Sequence, residues 1–196
     1  MMLICQHRVN SIEKLKLTSR TLGIEVDIRS NGSRMYVSHD AFEDGIDFEQ
    51  WLEGYDHQFL IANVKEEGME SRLREILSAM NIQKWAFLDQ SFPFLIKEIK
   101  SGFHQTMLRV SEFENPSGEF LGDLKPEWIW LDSFTGKYPQ VEQILNWKLL
   151  GYKFMVVSPE LQARDPKLEI NIIQNLFSQA DIEIDGVCTK MPELWK

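Results

Sequence analysis

Short apolar runs alternate with amphipathic segments along the whole chain. Eight runs have the length and the apolar, β-branched character of buried strands: residues 3–8, 23–29, 59–65, 84–90, 106–111, 127–133, 153–158 and 185–190. A ninth run, residues 34–40, follows the second one through Asn31-Gly32. Because Asn-Gly is typical of a tight hairpin turn, we expect these two strands to pair antiparallel.

The segments between these strands carry helix signals. They cover residues 11–22, 47–55, 66–80, 93–102, 139–151 and 166–180. Asp47 with Gln50 three residues later is a capping-box pattern, and Ile170, Ile173 and Phe177 form a stripe at helical period. Residues 113–127 contain Pro and Gly and are predicted to form a loop.

Strands that alternate with helices favour a parallel sheet, and eight such units indicate a closed (β/α)8 barrel. We therefore predict an α/β protein, a small TIM barrel with a hairpin extension after the second strand, over a single domain of residues 1–196. A doubly wound open sheet is the alternative, although no glycine-rich phosphate loop follows the first strand.

Composition narrows the function classes. The chain has 196 residues, a net charge of −9 and a pI near 5.0, which argues against non-specific nucleic-acid binding because that requires a basic surface. No apolar run approaches the ~18 residues that span a bilayer, and the first residues do not resemble a signal peptide. Cys5 and Cys188 are too few for a disulfide framework, so we expect a cytoplasmic protein with reduced thiols. A reactive Cys5 near His7 is the alternative.

Polar side chains collect where the predicted strands end, which is the face that carries the active site of a barrel. Glu25 and Asp27 stand two residues apart in one strand and therefore share a face. Ionised acids inside a barrel need a partner, and oxygen ligands favour Mg²⁺ or Ca²⁺. Pairing of one acid with Arg8 or Lys65, without a metal, remains equally open.

Two histidines and two cations complete this cluster. His7 and His39 are candidates for general base and general acid, because an ordinary pKa of ~6.5 permits either role near neutrality. Arg8 and Lys65 are candidates to bind an anionic group. The alternatives are structural histidines and salt bridges to the acids.

In these residues the chain resembles the glycerophosphodiester phosphodiesterase family, within the wider group of phospholipase C-like phosphodiesterase barrels. The motifs are His7-Arg8, Glu25-Val26-Asp27, His39-Asp40, Asn63-Val64-Lys65 in place of Glu-x-Lys, and Gly186 to Pro192 as the last strand. The resemblance is specific over residues 5–65 and recurs weakly at 185–192.

The resemblance implies a metal-dependent hydrolase of a small, glycerophosphodiester-like substrate. Its expected site has His7 and His39 in the proton transfers, Arg8 and Lys65 on the phosphate, and Glu25, Asp27 and Asn63 around one Mg²⁺ or Ca²⁺. A substrate hydroxyl would attack phosphorus and form a cyclic phosphate.

The chain also departs from the family pattern. Val9 replaces the glycine after His-Arg, Asn63 replaces a metal carboxylate, and Lys190 replaces an aspartate. Asn63 and Lys190 motivate an alternative, a catalytically degenerate barrel that binds a phosphorylated ligand or a partner without turnover. A third hypothesis makes Lys65 the Schiff-base amine of an unrelated barrel enzyme.

Overall fold

The computed structural model describes residues 2–116 and 124–196. All eight predicted barrel strands are present, together with the two strands of the hairpin extension. They are β1 (Leu3–Gln6), β2 (Gly23–Asn31), β3 (Arg34–Val37), β4 (Ile46–Asp47), β5 (Leu60–Val64), β6 (Trp85–Leu88), β7 (Met107–Val110), β8 (Trp128–Leu131), β9 (Lys153–Val157) and β10 (Gly186–Thr189).

Eight of the strands are parallel and close into a barrel. Strand β1 pairs with β2 on one edge and with β10 on the other, and the pairing continues through β5 and β6 on one side and through β9, β8 and β7 on the other. The last gap, between β6 and β7, is bridged at Phe87 and Thr106. The predicted (β/α)8 barrel is therefore confirmed, and the open-sheet alternative is wrong.

The hairpin extension also forms as predicted. Strand β3 runs antiparallel to β2, with Asn31 opposite Arg34, and β4 pairs with β3. Gly32 has a φ of +62°, the left-handed conformation that this tight turn requires and that glycine adopts without strain. Strand β3 ends at Val37 rather than at residue 40 as predicted, so His39 lies beyond the ladder.

Six α-helices occur in the described residues. They are α1 (Ile12–Leu17), α2 (Phe48–Leu52), α3 (Glu70–Ala79), α4 (Phe92–Lys100), α5 (Val141–Leu149) and α6 (Pro166–Gln179), with short 3-10 helices at Pro159–Gln162 and Pro192–Trp195. Asp47 caps α2 by accepting a hydrogen bond from the Gln50 amide at 3.1 Å. Part of the predicted loop over 113–127, namely 117–123, lies outside the described residues. No helix in the described ranges has the length and apolar character needed to cross a membrane.

Two apolar layers enclose the barrel wall. Ile24, Val26 and Ile28 of β2 pack outward against helix residues, so the alternating Glu25 and Asp27 point into the barrel. Inside, Cys5 and Cys188 are neighbours in register and fully buried as free thiols. Burial raises the pKa of both thiols, which opposes thiolate formation and disfavours the reactive-Cys5 alternative.

Trp51 joins the helical layer to the loop that follows β1. Its side chain is fully buried, and its indole N–H donates to the carbonyl of Val9 at 3.1 Å. We expect Trp51→Ala to lower the free energy of unfolding by about 3–5 kcal/mol, since a large cavity and an unpaired carbonyl result. Urea denaturation checks this, with Leu149→Ala on the exposed face of α5 as the control near zero. A loss below about 1 kcal/mol for Trp51→Ala would contradict the prediction.

Candidate active site

The seven residues that the sequence predicted for the site form one connected cluster at the carboxyl ends of β1, β2 and β5 and in the loop after β3. Asp27 and Asn63 are opposite each other in the β2–β5 register. Glu25 and Asp27 are both fully buried. Two buried carboxylates this close repel each other, so the surrounding groups must supply donors or positive charge.

Glu25 is held by neutral donors. The backbone N–H of Arg8 donates to its Oε2 at 2.6 Å, and the amide nitrogen of Asn63 donates to its Oε1 at 2.9 Å. The Nε2 atom of His7 lies 3.7 Å from Oε2. Burial and the charge of Asp27 raise the pKa of Glu25 to about 7, against the effect of these donors.

Asp27 is held by cations. Lys65 Nζ lies 3.0 Å from its Oδ1 and Arg8 Nε lies 3.8 Å from its Oδ2. Asn10 donates to Oδ2 at 2.7 Å and accepts from the Asp27 backbone N–H at 3.1 Å. Arg8 and Lys65 therefore both form salt bridges with Asp27, as in the metal-free alternative that the sequence suggests.

Arg8 also links the acids to His39. Its Nη2 atom lies 2.5 Å from His39 Nε2, and because a guanidinium only donates, Nε2 is the acceptor. The proton then stands on Nδ1, which lies 2.7 Å from a carboxylate oxygen of Asp40. Arg8 and Asp40 thus fix the orientation of the His39 ring from both sides.

His7 lies deeper in the site. Its Nδ1 atom is buried and has no hydrogen-bond partner. Burial, and then the charge of Arg8, lower the pKa of His7 to about 3. His7 is therefore unprotonated near neutral pH.

Sequence reasoning missed two positioning residues. Lys14 of α1 donates to the carbonyls of His7 at 2.8 Å and Arg8 at 2.6 Å, which fixes the loop where Arg8 has a φ of +50°. Arg29 donates to the carbonyl of His39 at 2.9 Å. A signal for Arg29 was present, because it follows Asp27 by two residues and so lies on the same face of β2.

The donor set is suited to one hard divalent cation. The oxygen atom of the Asn63 amide is buried and has no hydrogen-bond partner, so it is an unused oxygen on a residue that donates to Glu25 and lies opposite Asp27. Within residues 2–116 and 124–196 no group of three His, Cys, Asp or Glu side chains forms a metal site, and the third expected ligand, Asn63, is neutral. The residues fit Mg²⁺ or Ca²⁺ through oxygen atoms alone, with two ligand charges rather than three.

Comparisons with solved structures support the barrel class. The chain superimposes on a glycerophosphodiester phosphodiesterase from Agrobacterium tumefaciens with a TM-score of 0.70 and 14% identity, covering 100% of this chain and 99% of that one. A glycerophosphoryl diester phosphodiesterase from Parabacteroides distasonis gives 0.65 and 13%, covering 99% and 84%. A mutant tryptophan synthase alpha-subunit from Pyrococcus furiosus gives 0.55 and 12%, covering 98% and 88%.

No protein-family model matches the sequence, and no curated protein matches it. At these identities the structural likeness establishes the TIM-barrel fold alone. Since that fold supports many chemistries, the function of a barrel depends on the residues of its site.

The raised pKa of Glu25 has a consequence for stability. In the folded protein the Glu25 carboxyl has a pKa of about 7, whereas in the unfolded chain its pKa is the ordinary 4.5. Glu25 therefore lowers the free energy of unfolding as the pH rises from about 4.5 to about 7. His7 acts in the opposite direction between about 3 and 6.5, because its pKa is lowered on folding.

We expect Glu25→Gln to remove only the Glu25 part of this dependence. The free energy of unfolding of the variant, minus that of the wild type, should increase between pH 4.5 and 7 when both are measured by urea denaturation in EDTA. Glu160→Gln is the control, because that carboxylate lies at another strand end, on Thr189. A pH-independent difference for Glu25→Gln would show that Glu25 ionises normally in the folded protein.

Proposed function

We propose that this protein is a metal-dependent hydrolase of a small phosphodiester, similar to a glycerophosphodiester. One observation carries the proposal: Arg8 lies between Asp27 and His39, so a phosphate-binding cation, an acidic pair and a proton-transfer group form one network. These are the groups that phosphoryl transfer requires at one point.

Arg8 and Lys65 are the phosphate-binding residues of the proposal. The Arg8 side chain is 44% exposed and the Lys65 side chain 16% exposed, so Arg8 meets an incoming anion first. The planar guanidinium suits two phosphate oxygens and the ammonium acts as a point charge. Lys65 pairs with Asp27 and Asp89, an arrangement that suits an ammonium ion and disfavours the Schiff-base hypothesis.

His7 and His39 take different proton roles. His7 is unprotonated, because burial and Arg8 lower its pKa to about 3, and it is therefore available to accept a proton as general base. His39 is supported at Nδ1 by the Asp40 carboxylate, which stabilises the imidazolium form. His39 is the general acid of the proposal in its protonated form: Nε2 accepts from Arg8 in this structure, and it would take up a proton when the phosphate engages Arg8 and then deliver that proton to the leaving group.

Glu25, Asp27 and Asn63 would hold the divalent cation. Bound there, Mg²⁺ or Ca²⁺ supplies positive charge that stabilises the phosphoryl group. The chain itself supplies orientation: Lys14 fixes the His7-Arg8 loop and Arg29 fixes the backbone at His39.

A second candidate function is binding of a phosphate ester without turnover. The observation that favours it is the engagement of Asn63 with Glu25 and of Lys65 with Asp27, which satisfies the acids without a metal. Calorimetry separates the two functions. Binding of a phosphate ester with neither divalent-ion binding nor hydrolysis supports this second candidate.

The first functional prediction concerns His39. Hydrolysis of a panel of phosphodiesters should require Mg²⁺, Ca²⁺ or Mn²⁺, and His39→Ala should lower kcat by about 10²–10⁴-fold because the general acid is lost. His104→Ala is the matched control, since His104 is exposed and precedes β7 at the opposite end of the barrel. Normal turnover by folded His39→Ala would rule out this role.

The second functional prediction concerns Asn63. Asn63→Glu adds a third carboxylate, so we expect it to tighten Mg²⁺ or Ca²⁺ binding measured by calorimetry. The same variant should be less stable than the wild type in EDTA, because a donor to Glu25 becomes a third buried acid. Asn63→Gln is the control of equal length without charge. Unchanged metal affinity in Asn63→Glu would argue against a cation at this position.

A further inference from the structure

A second charged array adjoins the site across the ends of β6, β7 and β8. Asp89 Oδ2 lies 3.6 Å from Lys65 Nζ, and Arg109 Nη2 donates to Asp89 Oδ1 at 2.5 Å. On its other side Arg109 donates through Nη1 to Asp132. Negative and positive side chains therefore alternate along five neighbouring strands at the barrel rim, in the order Asp27, Lys65, Asp89, Arg109 and Asp132.

The array is buried at its far end. Asp132 is almost fully buried and both of its carboxylate oxygens accept from Gln162, at 3.0 and 3.1 Å. The side chain of Arg109 is 24% exposed. Burial opposes its charge, yet the carboxylates of Asp89 and Asp132 raise the pKa of Arg109, so it is a fixed cation.

Asp89 is held in a costly backbone conformation. Its φ is +60°, in the left-handed region that residues other than glycine adopt at a cost. Such a conformation persists when the surroundings determine it, and here Arg109 and Lys65 hold the carboxylate from two sides. Asp89 is therefore placed by the array rather than by local backbone preference.

Each side-chain nitrogen of Arg109 already faces a carboxylate of the described residues. Its two Nη atoms serve Asp89 and Asp132, and its Nε lies 3.8 Å from Glu114. The Lys65 ammonium, in contrast, is carried by a flexible stem of four carbons, so neighbouring groups must hold it in place. Without Asp89 the ammonium would keep one carboxylate neighbour among the described residues, Asp27 at 3.0 Å, and would be drawn toward it.

We propose that Arg109 acts through Asp89 as a positioning residue that holds the ammonium of Lys65 between two carboxylates, ready for the phosphate of the substrate. This role rests on the proposed function only in placing a phosphate beside Lys65. It assigns to Arg109 a contribution to phosphate affinity without contact with the phosphate.

The experiment is a double-mutant cycle between positions 109 and 65. KM and kcat are measured on a hydrolysed phosphodiester, and the affinity for inorganic phosphate is measured by calorimetry. We expect Arg109→Met to raise KM and the phosphate Kd about tenfold, with kcat within about threefold. Arg109→Lys should restore part of the loss, because a lysine can still reach one carboxylate.

The decisive variant is Arg109→Met in a Lys65→Met background. If Arg109 acts through Lys65, Arg109→Met should change KM and the phosphate Kd by less than about twofold in the Lys65→Met background, since no ammonium group remains to be positioned. Should the Arg109→Met protein fail to fold, Asp89→Asn tests the same link with a side chain of the same size.

Arg74→Met is the matched control. Arg74 pairs with Glu98 between α3 and α4, away from the barrel rim, so its loss should lower stability and leave KM unchanged. The proposal is overturned if folded Arg109→Met keeps the wild-type KM and phosphate Kd, or if its effect is as large without Lys65 as with it.

Failure of the proposed function gives a different result. If the wild type binds inorganic phosphate but hydrolyses no phosphodiester, the hydrolase proposal fails while the cycle measured on phosphate affinity still decides the role of Arg109. If the wild type binds no phosphate at all, the role of Arg109 is refuted together with the phosphate site.

Discussion

The burial of two neighbouring carboxylates, Glu25 and Asp27, is the constraint on which the rest of the site depends. Both point into the barrel from β2 and neither is exposed. A desolvated pair of like charges is costly unless donors and cations surround it. The loop after β1, the Asn63 amide and the Lys65 ammonium all supply these, so the compensation of the acids organises the whole carboxyl end of the barrel.

Different groups stabilise the two buried acids. Glu25 receives neutral donors and keeps a raised pKa of about 7, chiefly from burial, whereas Asp27 receives Lys65 and Arg8. A divalent cation bound here would favour ionisation of Glu25, so its binding would be coupled to proton release at this residue. Asn63 gives the pair a neutral donor that stabilises it even without a metal.

The fold was predictable from sequence because the barrel signal is local. Each strand is a short apolar run, and the Asn31-Gly32 turn sets the hairpin. The grouping of Glu25, Asp27, His39 and Lys65 also followed, since period-two alternation and strand ends determine where side chains point.

The details that failed depend on contacts between distant segments. Beyond Val37 the edge of β2 is taken by the loop after β1: the Asp27 N–H donates to the Asn10 side chain and the Glu25 carbonyl accepts from the Val9 N–H. The β3 ladder therefore ends at Val37, and His39 lies outside it beside Arg8. The attachment of Lys14 to two carbonyls and of Arg109 to Asp89 and Asp132 likewise depends on the folded loop geometry. No pattern along the chain encodes these contacts.

The central claim is that this acidic pair, with its flanking histidines and cations, hydrolyses a phosphodiester with the help of one divalent cation. Phosphorus NMR of a glycerophosphodiester incubated with metal-stripped protein tests it directly. We expect the diester signal to persist in EDTA and to be converted to product once Mg²⁺ or Ca²⁺ is added, and Glu25→Ala to abolish the conversion. Conversion at the same rate in EDTA, or none with any divalent cation, would contradict it.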